Sequence, residues 1–140
     1  MAAPYKPDGY TSVAPYLIVD GAECTIRFLE QTFGGRELRR FDAPDGGIMH
    51  AEVRIDDTVI MLGDSGPGFP SVGAHVHIYV PSVDATYRKA LEAGATSVRP
   101  PEQKGDDDKR GGVKDPGHDL VDWNAHGVRS HRTDKLTVLA

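Results

Sequence analysis

One cysteine, Cys24, stands in 140 residues, so no internal disulfide can form. The fold must then rest on its apolar core, and this cysteine usage agrees with a reducing compartment. No apolar run is long enough to span a bilayer. The opening "MAAPYKPDGY" has no apolar centre of the kind a signal peptide needs. A basic run is missing too. Sixteen Lys and Arg stand against 21 Asp and Glu, a formal net charge of −5, which argues against nucleic acid and anionic membrane surfaces as partners. Paired-cysteine motifs, a nucleophile elbow, a dinucleotide fingerprint and phosphate-loop glycine spacing are all lacking. The expectation is a cytoplasmic protein with no membrane span. Hydrophobic residues make up 39% and charged residues 26%, so the chain can fold as a single domain over residues 1–140.

What is present is a pattern of short elements. "SVAPYLIVD" (12–20) is an apolar, β-branched run and reads as a strand. "GAECTIRFLEQTFGG" (21–35) switches to helical spacing, with Ala22, Ile26, Leu29 and Phe33 on one face. Asp20 is its expected cap and Gly34-Gly35 its expected end. Cys24, one turn in, is expected as a half-buried thiol. Strands follow at 36–41, 48–56 and 58–64, with the turn "APDGG" (43–47) after the first. "SGPGFPSVG" (65–73) reads as a linker.

The order then restarts. "AHVHIYV" is a strand, and "SVDATYRKALEAG" (82–94) a helix with Val83, Tyr87, Ala90 and Leu91 on one face. Ser82 is its expected N-cap and Gly94 its stop. Strands at 96–100, 110–116 and 120–126 complete the second set, with the polar loop "EQKGDDDK" (102–109) between the first two. Val19 and "TIR" (25–27) recur as Val80 and "TYR" (86–88), 61 positions later. A period of that length suits a duplicated half-domain rather than a solenoid. The expected fold class is α+β, built of two βαβββ modules at 12–64 and 74–126, joined by the linker 65–73. The stretch 127–140 has no counterpart and is expected to be a tail or an oligomer contact.

Two polar faces carry the candidate chemistry. In "MHAEVRID" alternation puts His50, Glu52 and Arg54 on one side and Ala51, Val53 and Ile55 on the other. Arg54 can hold a carboxylate or phosphonate, and Glu52 is a candidate general base. The plainer alternative is a Glu52–Arg54 or cross-strand pair on a half-exposed sheet. In "GAHVHIYV" (73–80) His75, His77 and Tyr79 share one face, and Val76, Ile78 and Val80 the other. The charged stretch "KGDDDKRGGVKD" (104–115) places Lys109 and Arg110 where they could meet an anion, or is a solvated turn.

"TSVAPYLIVDGAECTIRFLEQTFGG", "MHAEVRIDDTVIMLGD" and "DKRGGVKDP" are similar to the vicinal oxygen chelate superfamily, which includes glyoxalase I, bleomycin- and fosfomycin-resistance proteins and extradiol dioxygenases. Within it they resemble the small glyoxalase-like, PhnB-like branch, over roughly residues 10 to 126. The resemblance implies paired βαβββ modules whose sheets curl around a cavity, helices outside, in a homodimer. It implies metal-ligand positions near Val13 and Met61, neither of which suits a divalent ion, and at His75 and Asp122, which do. In the ungapped register of "GHDLVDWNAH", Asp122 and Asn124 face the cavity, and Val121 and Trp123 the core. Cavity residues would then be His50, Glu52, Arg54, Met61, His77, Tyr79, Arg110 and Asn124. Met61 supplies apolar wall or fills core.

Three functions stay open. One is a metal-free protein that binds a small organic molecule. Another is an enzyme (lyase, isomerase, transferase or dioxygenase) using Zn, Ni, Mn or Fe held by His75 and Asp122, with Glu52 moving a proton. That enzyme needs a third ligand, from His50, Glu52, His77 or a dimer partner. The last is a dimeric scaffold without ligand chemistry, against which the polar groups aimed into a cavity weigh.

Overall fold

A computed structural model describes residues 3–103, 108–117 and 121–128, the last stretch by its backbone path. The element order is β1 (Tyr16–Val19), α1 (Ala22–Phe33), β2 (Arg36–Asp42), β3 (Ile48–Ile55) and β4 (Thr58–Asp64). It continues as β5 (Ala74–Tyr79), α2 (Val83–Glu92), β6 (Thr96–Gln103), β7 (Asp108–Lys114) and β8 (Val121–Val128). This is an α+β fold in which the βαβββ order occurs twice. Residues 129–140, most of the expected tail, lie outside the described residues, as does 104–107 of the charged loop.

The strands form two four-stranded sheets, ordered β1-β4-β3-β2 and β5-β8-β7-β6. In each, the first strand runs parallel to the last and the other pairs are antiparallel. Helix α1 packs on the first sheet, α2 on the second, and α1 against α2. One apolar cluster runs through both halves, from Leu17, Ile26, Phe28 and Leu29 to Val83, Ala90 and Val113. A buried hydrogen bond from the Thr25 hydroxyl to Asp115 Oδ2 (2.8 Å) fastens α1 to the residue after β7.

The helices lie where their spacing predicts, with differences at the ends. Gly34 closes α1 in the left-handed region, at φ 66°, where a side chain would be strained. Its start is not capped by Asp20. Gly21 takes the cap position at φ 84°, and the Asp64 carboxylate at the end of β4 accepts from the N–H groups of Gly21 (3.1 Å) and Ala22 (2.8 Å). A carboxylate at a helix N-terminus satisfies orphan donors and opposes the helix dipole. The same carboxylate accepts from Ile48 N–H (2.7 Å) and so also sets the start of β3.

Ser82 caps α2 as expected, its side chain accepting from Ala85 N–H. On α2, Val83, Thr86 and Ala90 are buried while Leu91 is half exposed, because α2 meets its neighbours along a narrower stripe than the apolar positions outline. Cys24 is exposed rather than half-buried, on the side of α1 away from Thr25 and Ile26. The first strand opens at Tyr16, after Pro15, later than the apolar run predicts. Proline has no N–H to give a ladder. Val13 therefore stands ahead of the strand and is exposed. Inside the 65–73 stretch, Gly66 and Phe69 exchange backbone hydrogen bonds.

Candidate functional site

Each sheet has a helix-covered face and a face turned the other way. On the first sheet, Leu17, Ala51, Val53, Ile55, Ile60 and Leu62 pack toward the helices. Strand alternation sends the residues between them to the opposite face. There, one row crosses all four strands: Tyr16 of β1 pairs with Met61 of β4, Met61 with Glu52 of β3, and Glu52 with Arg39 of β2. In the neighbouring rows Phe41 pairs with His50, and Val59 with Arg54.

A chain of polar contacts runs over this face. The Tyr10 hydroxyl donates to Glu52 Oε2. His50 Nε2 lies 3.0 Å from Glu52 Oε1, and the Tyr16 hydroxyl lies 3.1 Å from His50 Nδ1. An ionised carboxylate only accepts, so Nε2 must carry its proton toward Glu52. Glu52 is buried, with 4% of its surface exposed. Burial opposes its charge, but the hydrogen bonds from Tyr10 and His50, with His50 and Arg39 nearby, outweigh it and hold the carboxyl below its ordinary value. The same bond raises the Tyr10 hydroxyl, since losing its proton would set two anions together. Glu52 is thus a strong acceptor and a weak base.

Rings flank the imidazole that holds the carboxylate. Tyr16 and Phe41 lie on either side of His50, at centroid distances of 5.5 and 6.2 Å. Arg39 sits over the Phe41 ring at 5.7 Å. Met61 is partly exposed and absent from the core cluster, so it does not fill the core. Arg54 does not pair with Glu52, the plainer alternative read from their spacing. Its Nη2 donates to the Gly9 carbonyl at 2.7 Å. Its buried Nε has no hydrogen-bond partner among the described residues.

The second sheet brings the other candidates together. His75, His77 and Tyr79 are exposed, while Val76 and Ile78 pack on the core. By backbone register His75 stands beside Asp122, His77 beside Asn124 and Tyr79 beside His126. Arg110 of β7 pairs with His126 and with Glu102 of β6. The side chains of Asp122 and Asn124 lie outside what is described. Thus His50, Glu52, Arg54 and Met61 share one face of the first sheet, and His75, His77, Tyr79 and Arg110 belong to the second.

No group of three or more His, Cys, Asp and Glu is placed to hold a metal ion among the described residues. The residue facing Met61 across β1 and β4 is Tyr16, so that end offers a phenol and a thioether, of which the thioether is a poor ligand for hard or borderline ions. Sequence reading missed Tyr10, Tyr16, Arg39 and Phe41. Tyr16 and Phe41 stood inside predicted strands, and only the cross-strand register brings them to His50.

Comparison with known proteins agrees with this architecture. The glyoxalase/bleomycin resistance protein/dioxygenase superfamily model matches residues 9–122. The uncharacterized protein Rv0887c of Mycobacterium tuberculosis is 37% identical over 119 residues, covering 76% of this chain and 70% of that protein. Among solved structures, TioX from Micromonospora sp. ML1 superposes with a TM-score of 0.68 at 24% identity, over 83% of this chain and 97% of that one. TnmS3, an antibiotic binding protein from Streptomyces sp. CB03234, does so with 0.60 at 18% identity, over 80% and 95%. The doubled βαβββ order, the strand order of each sheet and the extent of the family match agree, and this chain belongs to the glyoxalase/bleomycin resistance protein/dioxygenase superfamily.

Proposed function

We propose that the protein binds a small organic molecule on the face that carries Glu52, without a complete metal site. The carrying observation is the buried Glu52 carboxylate, kept charged by Tyr10 and His50, with the rings of Tyr16 and Phe41 against His50 and Met61 as the register neighbour of Glu52. Such a surface offers an orienting acceptor inside apolar, adaptable walls, the usual make-up of a small-molecule site. A family relative by fold, TnmS3, is described as an antibiotic binding protein, which supports the same reading here. The paired modules would enclose the ligand in a homodimer, a second copy walling the part of the face where Tyr16 and Phe41 stand exposed. The cytoplasm is the proposed compartment, in keeping with a single, exposed cysteine.

The metal-dependent enzyme is the second reading, favoured by one observation: His75 and Asp122 are register partners on adjacent strands. The test separates the two. Tag-free wild type and His75→Ala are exposed to Zn, Ni, Mn and Fe, desalted, and analysed for metal by mass spectrometry. The binding reading expects no stoichiometric metal in either, and thermal stabilisation by members of a panel of aromatic, drug-sized compounds that Glu52→Gln weakens. Near-stoichiometric metal in wild type that is lost in His75→Ala would overturn it in favour of the enzyme.

A further inference from the structure

The binding reading leaves the segment ahead of β1 unexplained. Residues 7–10 close a turn, with Tyr10 N–H donating to the Pro7 carbonyl at 3.2 Å. Gly9 sits at φ 82°, the third position of the turn, where a side chain would be strained. The turn sets two of its own groups on the open face of the first sheet. The Tyr10 hydroxyl occupies Glu52, and the Gly9 carbonyl occupies Arg54. The approach is close, since a methyl group at Gly9 would stand 2.6 Å from Arg54 Nη2. Val59, the register partner of Arg54 on this face, is fully buried although it is not part of the main core cluster. The Arg54 end of the face is therefore covered, and its carboxylate and this guanidinium are both engaged by the chain itself.

We infer that residues 7–10 are an internal stand-in for the ligand, a strap displaced by a molecule of the same chemistry. That chemistry can be read along the bonds. From the Gly9 carbonyl the path runs through the Tyr10 nitrogen, Cα and Cβ to the phenol. The ligand class is a phenol joined through a two-carbon spacer to an amide carbonyl, and N-acetyltyramine is the smallest compound with that order of atoms. A second oxygen beside the carbonyl would meet the buried Arg54 Nε. The inference rests on the Glu52 face being the binding face. A tethered strap competes at an effective concentration on the order of millimolar, so releasing it raises the apparent affinity of a ligand that needs the same groups.

The test is calorimetric titration of N-acetyltyramine, and of N-acetylphenethylamine as the hydroxyl-free control, into full-length wild type, Tyr10→Ala and Tyr10→Ala/Glu52→Gln. Tyr10→Ala is expected to bind N-acetyltyramine about tenfold or more tightly than wild type does. The control compound should show no such gain, and Glu52→Gln should remove it. Should Tyr10→Ala fold poorly, Tyr10→Phe carries the same comparison. Amide exchange at Gly9 and Tyr10 reports the strap without any ligand, and is expected to quicken in Tyr10→Phe. Equal affinities in wild type and variant, equal binding of the two compounds, or unchanged exchange overturns the inference. A Tyr10→Ala protein that binds other compounds of the aromatic panel but not N-acetyltyramine overturns the strap alone. One that binds nothing in the panel overturns the binding face as well.

Discussion

The Tyr10 hydroxyl donates to Glu52 across 42 residues of chain, tying the segment ahead of β1 to the middle of β3. The bond holds the carboxyl of Glu52 below its ordinary value of 4.5, even though burial acts the other way. A group whose folded pKa is depressed contributes stability above its unfolded value and loses it as pH falls through the folded one. Wild type should therefore lose stability as pH falls below about 4.5 more steeply than Glu52→Gln does. Urea denaturation from pH 7 to pH 3 checks this, and parallel profiles for the two proteins would refute it.

Asp64 holds three backbone donors at once, two at the start of α1 and one at the start of β3. The cap residue of the helix, Gly21, has no side chain to serve those donors itself. Asp64→Ala should destabilise the protein by about 2–4 kcal/mol, the loss of a charged cap together with stranded donors. Asp64→Asn, which keeps an acceptor but not the charge, should lie between. Urea midpoints at constant m-value measure both, and a change under 1 kcal/mol for the alanine variant would show that water replaces the carboxylate.

Gly63, inside β4, is set by close approach. A Cβ there would come within 2.7 Å of the Met49 carbonyl oxygen on β3, backbone that cannot swing aside. Gly63→Ala should cost about 1–3 kcal/mol by forcing β3 and β4 apart. Gly46, in the turn at φ 90° with open space around it, should instead respond to alanine through backbone strain alone. Thermal unfolding of the two variants compares the mechanisms, and an unchanged melting temperature for Gly63→Ala would contradict the packing argument.

The element order was legible because each signal is local. Ala22, Ile26 and Leu29 recur at the helical period and are buried together, and Ala51, Val53 and Ile55 alternate and share the core. Gly34 and Ser82 end and start helices through their own backbone and side-chain preferences. The cap on α1 was not legible, because its acceptor, Asp64, lies 42 residues beyond Ala22 and has no sequence marker of that role.

The candidate face divides the same way. That His50, Glu52 and Arg54 share a side follows from the two-residue repeat of a strand, which any extended segment obeys. Which groups satisfy them does not follow from it. Glu52 pairs with Tyr10 and His50 rather than Arg54, and Arg54 turns to the Gly9 carbonyl. Met61 meets Tyr16 only because β1 lies parallel beside β4 with that register. Periodicity determined from the sequence alone which face each side chain takes, since backbone geometry dictates it. The partners, and with them the charge on Glu52, were decided by the tertiary structure, because they depend on distances between segments far apart in the chain.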